Sequence, residues 1–310
     1  MPQERVAQCL EEDFYDQPSD PSVNPAFFYL LGDCVYFFGE AKDYYAQFYE
    51  PYEHYVAPIL AVPGNNDGDV SPPQTTEASL APLVRNFCAP QPGWHSPDAR
   101  DSPRTAMTQP NVFWTLTTPL VNIIGLYTNV PEGGRVHKDQ LDWFVGELKG
   151  LPKTVPIIVT MHHPVYSADN HHSGSKAIHD ALETAVAKAK RRPDLVLAGH
   201  VHNYQRFTRR VGNRDVPYVV AGAGGYHNLH YVAKINGEKP TTPVTLDQNG
   251  DDVTLESYVD DRHGFLRLEV TDRYIIGRYY TVPRPQERYS DGAKQADAFR
   301  LGLKSHRLLR

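Results

Sequence analysis

Five side chains able to hold a metal ion stand just past the ends of apolar runs in this chain. Asp33 follows Ala26–Leu31 (AFFYLL), and Asn65 follows Pro58–Val62 (PILAV). His162 follows Val155–Met161 (VPIIVTM), and His200 and His202 follow the run Leu195–Ala198 and Gly199. Short apolar runs bounded by turn residues read as buried strands, and open α/β sheets bind their ligands at the C-terminal ends of strands. Two imidazoles separated by one residue reach adjacent points in one such crevice. Taken alone, GHVH reads equally well as a loop with two exposed histidines. Four strand ends carrying ligand types form a constellation. Carboxylate and amide oxygens with imidazole nitrogens suit Fe, Zn or Mn, and thiolates are absent from the set. A carboxylate shared by two ions about 3.5–4 Å apart makes a site for metal-assisted hydrolysis.

The elements that must position these residues are legible as a strand–helix alternation. A short helix is expected over residues 1–13, a loop over 16–25 and an aromatic-rich helix over Asp43–Tyr52. A further helix is expected over Glu77–Phe87, then a proline- and serine-rich surface excursion over 89–110. Val112–Thr117 and Leu120–Leu126 read as paired strands. Leu141, Phe144, Val145 and Leu148 fall on one helical face, as do Ile178, Ala181, Leu182, Ala185 and Ala189. Strands are expected at Gln205–Arg210 and Val216–Ala221, mostly loop over 226–262, and a hairpin from Phe265–Val270 and Tyr274–Val282. Alternation with antiparallel additions indicates α/β layers with a mixed sheet.

With 310 residues, 40% of them hydrophobic, the chain is long enough to bury a large core. Its net charge of −6 argues against nucleic acid as the main partner. No apolar run approaches the roughly 18 residues of a membrane span. Residues 1–13 carry no apolar signal core. Three cysteines, Cys9, Cys34 and Cys88, are too few and odd for a disulfide framework, which fits a reducing, cytoplasmic setting.

In GDCVY (Asp33), GNND (Asn65), MHHP (His162) and GHVH (His200, His202), in this order, the chain resembles the calcineurin-like metallophosphoesterases. Tyr36, three residues after Asp33, and His171-His172, nine and ten after His162, narrow the resemblance to the purple acid phosphatase branch. It covers residues 26–282. It implies an αββα sandwich with mixed sheets, a single domain over 1–310 with 283–310 as a surface tail, and hydrolysis of a small phosphate ester by a metal-activated hydroxide. A monoester comes before a diester as substrate. Asp33 would bridge two ions. Tyr36 and His202 would hold the first, as a ferric tyrosinate, and Asn65, His162 and His200 the second, so that Fe pairs with Fe, Zn or Mn. His171 and His172 would face the substrate, one of them donating a proton to the leaving oxygen.

Each assignment has a plainer alternative. Tyr36 sits in an aromatic run and suits a core; His171-His172 suits a polar loop. His163 is expected to pack locally, Cys34 to be a small buried residue, and Gly222–Gly225 to be a tight turn followed by Tyr226, His227 and His230. Two positions depart from the family pattern. Asn66 stands where the family has histidine, and a carboxamide cannot relay a proton; since general acid–base assistance is typically worth about 10²–10⁴-fold, a slowed enzyme or a metal-binding relative is expected. The family's first strand, ending in an aspartate, is missing ahead of Asp33, since Asp13, Asp16 and Asp20 lie in helical or loop context. The first ion is then left with Asp33, Tyr36 and His202, and is expected to bind more weakly than the second.

Overall fold

The computed structural model describes residues 2–15, 24–68, 78–129, 134–288 and 291–309. Most of the loop expected at 16–25, with Asp16 and Asp20, lies outside them, as does Glu77. Helix α1 (Pro2–Tyr15) leads to strand β1 (Phe28–Leu30), which pairs in parallel with β2 (Ile59–Ala61). The aromatic stretch between them forms a short 3₁₀ turn, Ala41–Asp43, and a π-helical turn, Tyr45–Tyr49, rather than one α-helix. Its Tyr44, Phe48, Tyr49 and Tyr52 are buried. Helices α2 (Asn65–Gly68) and α3 (Ala81–Phe87) follow. The excursion expected to lie on the surface instead returns to the core: the Gln109 carboxamide bonds both the amide and the carbonyl of Ala61, at 2.8 and 2.9 Å.

Eight strands then build the main sheet. They are β3 (Trp114–Thr117), β4 (Asn122–Gly125), β5 (Ile157–Met161), β6 (Leu195–Ala198), β7 (Tyr204–Val211), β8 (Arg214–Ala221), β9 (Val244–Gln248) and β10 (Asp251–Val259), in the order β3-β4-β5-β6-β8-β7-β10-β9. The central strands β4, β5, β6 and β8 are parallel, and the flanking pairs are antiparallel. Helices α4 (Lys138–Gly150) and α5 (Lys176–Ala189) cross between the parallel strands. They cover one face through Phe144, Leu148, Ile178 and Leu182, packed with Ile124 and Val159. Ile123, Ile158, Leu195 and Leu197 point the other way. Apolar residues on both faces are what a parallel sheet buried between two layers requires.

The second layer is an antiparallel sheet of β11 (Gly264–Val270), β12 (Tyr274–Thr281), β13 (Lys294–Gly302) and β14 (Arg307–Leu309). Its Ile275, Tyr279, Phe299 and Leu301 pack on the main sheet. Helix α1 and the aromatic turns close the far side through Val6, Leu10 and Phe48, with Phe265 among them.

One sequence expectation is extended and another corrected. Most of residues 226–262 lie outside strands, as expected, but the stretch also holds a hairpin: β9 and β10 pair across Asn249-Gly250, both at positive φ (58° and 88°). That is the two-residue turn a tight hairpin favours. The stretch from 283 onward is not a surface tail. Strand β13 alternates polar residues with the buried Phe299 and Leu301, and its Asp297 accepts hydrogen bonds from Tyr204 and Arg206 of the main sheet at 2.7 Å each.

Strands β1 and β11 each stand at an edge of their own sheet. Both line one largely apolar cavity of about 1370 Å³, which extends to Asp33, His162, His200 and His202. Among the described residues, no helix is long and apolar enough to cross a membrane.

Candidate metal centre

The C-terminal ends of β1, β2, β5 and β6 deliver Asp33, Asn65, His162 and His200 to one point. Asn65 Oδ1 lies 3.0 Å from both His162 Nε2 and His200 Nδ1, and these two nitrogens are 3.1 Å apart. Asp33 Oδ2 lies 3.4 Å from His162 Nε2. Asp33, His162 and His200 have ligand atoms all within 4.8 Å of one another. Beside them, the Tyr36 hydroxyl donates to Asp33 Oδ2 at 3.2 Å and lies 3.4 Å from His202 Nε2. Its ring stacks on Tyr226, with centroids 4.2 Å apart. Asp33 therefore faces both groups.

The local chain explains this convergence. Asp33 and His200 both sit at positive φ, 54° and 62°, so each strand end kinks inward at its ligand. Asp67 ties the two loops that carry Asp33 and Asn65, since its buried carboxylate accepts from the amides of Gly64 (2.8 Å) and Cys34 (3.0 Å). Gly64 has no room for a side chain: a Cβ there would fall inside contact distance of the Asp33 carboxylate and amide. Gly64→Ala is expected to destabilise the fold by about 1–3 kcal/mol or more and to weaken metal uptake with it. Gly146→Ala, in open space on α4, should instead stabilise by up to about 1 kcal/mol. Urea midpoints and a metal titration of both variants check this; equal behaviour would overturn it.

The donor chemistry fits a cation. His162 Nδ1 faces the Leu31 carbonyl at 2.8 Å and His202 Nδ1 the Asn228 carbonyl at 2.8 Å. A carbonyl only accepts, so each Nδ1 carries the proton and each Nε2 is left to bind, the arrangement by which ligating histidines are oriented. Burial pushes His200 well below the usual imidazole range, and the neighbouring His162 adds to this. Burial, with His230 next, lowers His202 to about 4. Burial raises Asp33, yet the charge of His162 and the bonds it accepts bring its carboxyl well below the usual range. Burial lowers His162, but Asp33 outweighs that and raises it. The site thus offers one carboxylate, neutral imidazoles and a proton shared with His162 that an arriving ion would displace.

The remaining candidates separate. His172 packs its ring 4.5 Å from that of His200, and His171 is more exposed on the same loop. Asn66 lies against Asp33: its amide donates to Asp33 Oδ1 at 2.9 Å and its Nδ2 to Asp33 Oδ2 at 2.8 Å. His163 lies behind His200 and bonds Thr128 through Nδ1 at 2.9 Å. Cys34 is buried, and burial, then Asp67, pushes its thiol well up. Sequence reading passed over Asp67; its signal was a carboxylate two residues after a ligand in a Gly-Asn-Asn-Asp turn.

Metal-type residues at the strand ends of a mixed sheet and of the parallel pair beside it define a metallophosphoesterase architecture. Residues 6–204 match the family model of the calcineurin-like phosphoesterases, and the chain belongs to that family. Within it, the chain is similar to purple acid phosphatases of Arabidopsis thaliana. Purple acid phosphatase 22 is 31% identical over 157 residues, 48% of this chain and 32% of the relative. Purple acid phosphatase 21 is 29% identical over 147 residues, 45% and 32% respectively. Probable purple acid phosphatase 20 is 36% identical over 106 residues, 32% of this chain and 23% of the relative. The aligned part thus spans a third or less of these relatives. Among solved structures, purple acid phosphatase PPD1 from yellow lupin superimposes with a TM-score of 0.66 at 17% identity, covering 97% of this chain and 49% of that one. GAP50 of Plasmodium, the anchor in the inner membrane complex, gives 0.60 at 15% identity, covering 97% and 84%. At these identities the superpositions speak for the fold.

Proposed function

We propose that this chain hydrolyses phosphate esters, monoesters before diesters, with metal ions held at two adjoining positions that share Asp33. The observation that carries this reading is the meeting of Asp33, Asn65, His162 and His200 within about one ion's reach, with Tyr36 and His202 on the other side of the same carboxylate. Asn65, His162 and His200 would hold one ion, and Tyr36 with His202 the other, drawn from Fe, Zn or Mn. Bound there, the ions would supply polarisation of the phosphoryl oxygens and a nucleophile near neutral pH. His172 stands beside this point and, with His171, would hold the leaving oxygen and give it a proton. The position at Tyr36 and His202 has fewer protein ligands and is the weaker.

A second reading is a metal-binding relative with little turnover. It is favoured by the Asn66 carboxamide, which is spent on Asp33 rather than offered to a substrate. Hydrolysis of a chromogenic aryl phosphate in the presence of Fe, Mn or Zn, with metal content measured on the same sample, separates the two. Turnover that is lost in His162→Ala is expected. Full metal occupancy without hydrolysis of any mono- or diester would overturn the first reading and leave the second.

A further inference from the structure

Behind the histidine pair lies a buried polar knot that metal binding does not use. The Asp169 side chain is 0% exposed, and that of His230 8%. Asp169 Oδ2 accepts the backbone amides of both His171 and His172 at 2.9 Å. Its Oδ1 accepts from Asn203 Nδ2 at 3.0 Å, and the same nitrogen donates to the His230 carbonyl at 3.0 Å. His230 Nδ1 lies 3.4 Å from Asp169 Oδ2. The His230 amide donates to the His202 carbonyl at 3.0 Å. Its ring stands 4.7, 4.9 and 5.1 Å from those of His202, His171 and His172.

Three loops therefore meet at one carboxylate and one imidazole: the loop carrying the histidine pair, the loop carrying His202, and the segment after Gly222–Gly225. A buried carboxylate is costly unless bonded, and this one spends its acceptors on the amides of the two residues whose side chains would serve the substrate. We propose that His230, backed by Asp169, is a positioning residue that fixes His171 and His172 against the His202 side of the site. It does so as a wedge: its ring fills the space between the pair and His202, and its backbone is bonded to the His202 carbonyl and, through Asn203 Nδ2, linked to Asp169. This inference rests on the proposed phosphoesterase activity for its kinetic consequence, but not for its structural one. Groups that orient a functional residue from behind are typically worth about 10–100-fold.

The test uses the full metal-loaded chain with His230→Ala and His230→Gln, each also made in a His171→Ala/His172→Ala background. His230→Ala is expected to lower kcat about 10–100-fold with KM and metal content little changed, and His230→Gln to recover part of that loss. In the double-alanine background the same change should cost little, because the groups it positions are gone. Amide hydrogen exchange at His171 and His172 should be faster in His230→Ala than in the parent, with or without metal. An equal loss of kcat in both backgrounds, or unaltered exchange at the two amides, would overturn the proposal. If the parent hydrolyses no ester, the proposed activity fails, and the exchange measurement alone decides the positioning role. Should His230→Ala not fold, His230→Gln carries both measurements.

Discussion

Asp33→Ala is expected to abolish metal binding at both positions at once. Its carboxylate lies 3.4 Å from His162 Nε2 on one side and 3.2 Å from the Tyr36 hydroxyl on the other. Without it, what remains are neutral imidazoles, one carboxamide and a phenol. Burial, with Asp33 next, raises Tyr36 well above the usual phenol range. Losing a group that merely orients a ligand costs about 10–100-fold in affinity, so losing the shared ligand should cost more than about 100-fold. His202→Ala should behave differently, emptying the weaker position and leaving the one at Asn65, His162 and His200 filled. Equilibrium dialysis against Mn or Zn with elemental analysis reads all three proteins, and circular dichroism checks that each is folded. Metal content in Asp33→Ala equal to the parent would refute the shared-ligand arrangement. Two tightly held ions in the parent would show that another residue completes the Tyr36 side.

Asn66→His is expected to raise kcat, by at least tenfold and up to the general acid–base range of about 10²–10⁴. Asparagine at this position donates to Asp33 through both its backbone and its side chain. Its carboxamide has no proton to exchange near neutral pH. An imidazole keeps the backbone bond and gains a group able to bond the phosphoryl oxygen and relay a proton. The gain should appear in kcat more than in KM, since proton transfer belongs to the transition state. His172→Ala should lower the rate of the parent more than that of Asn66→His, because both groups serve one leaving oxygen and their effects do not add. An unchanged kcat at full metal occupancy would place the proton donor with His171 and His172 alone.

The convergence of Asp33, Asn65, His162 and His200 was readable because each follows an apolar run, and the runs are strands whose C-terminal ends meet at one point. Paired strands at Trp114–Thr117 and Asn122–Gly125 were readable for the same reason. Strand β13 was not, because its exposed positions are Lys, Gln, Ala and Arg and the inward Asp297 hides the alternation that buries Phe299 and Leu301. Strands β9 and β10 were signalled by Asn249-Gly250, a turn signal that the sequence reading passed over. Asp67 and Asp169 belong to a different kind of miss. Asp67 accepts amides from Cys34, over 30 residues away, and Asp169 owes its role to Asn203 and His230 from other loops. Each also accepts near amides, Gly64 for Asp67 and His171 with His172 for Asp169, but their distant partners arrive only with the tertiary fold.

The pairing of β1 with β2 alone, and of β11 with β12 alone, around a shared apolar cavity has a consequence for how this molecule opens. Backbone groups on an unpaired strand edge are satisfied by water or left without a partner. In most domains such edges are peripheral, and local opening begins at frayed ends and mobile loops. Here they border the interior, one of them two residues ahead of Gly32 and three ahead of Asp33. The first breath of this structure should therefore be taken at its middle, beside Asp33, His162 and His200. The chain's net charge of −6 supplies repulsion between copies that approach with those edges open, so salt that screens it should favour their association.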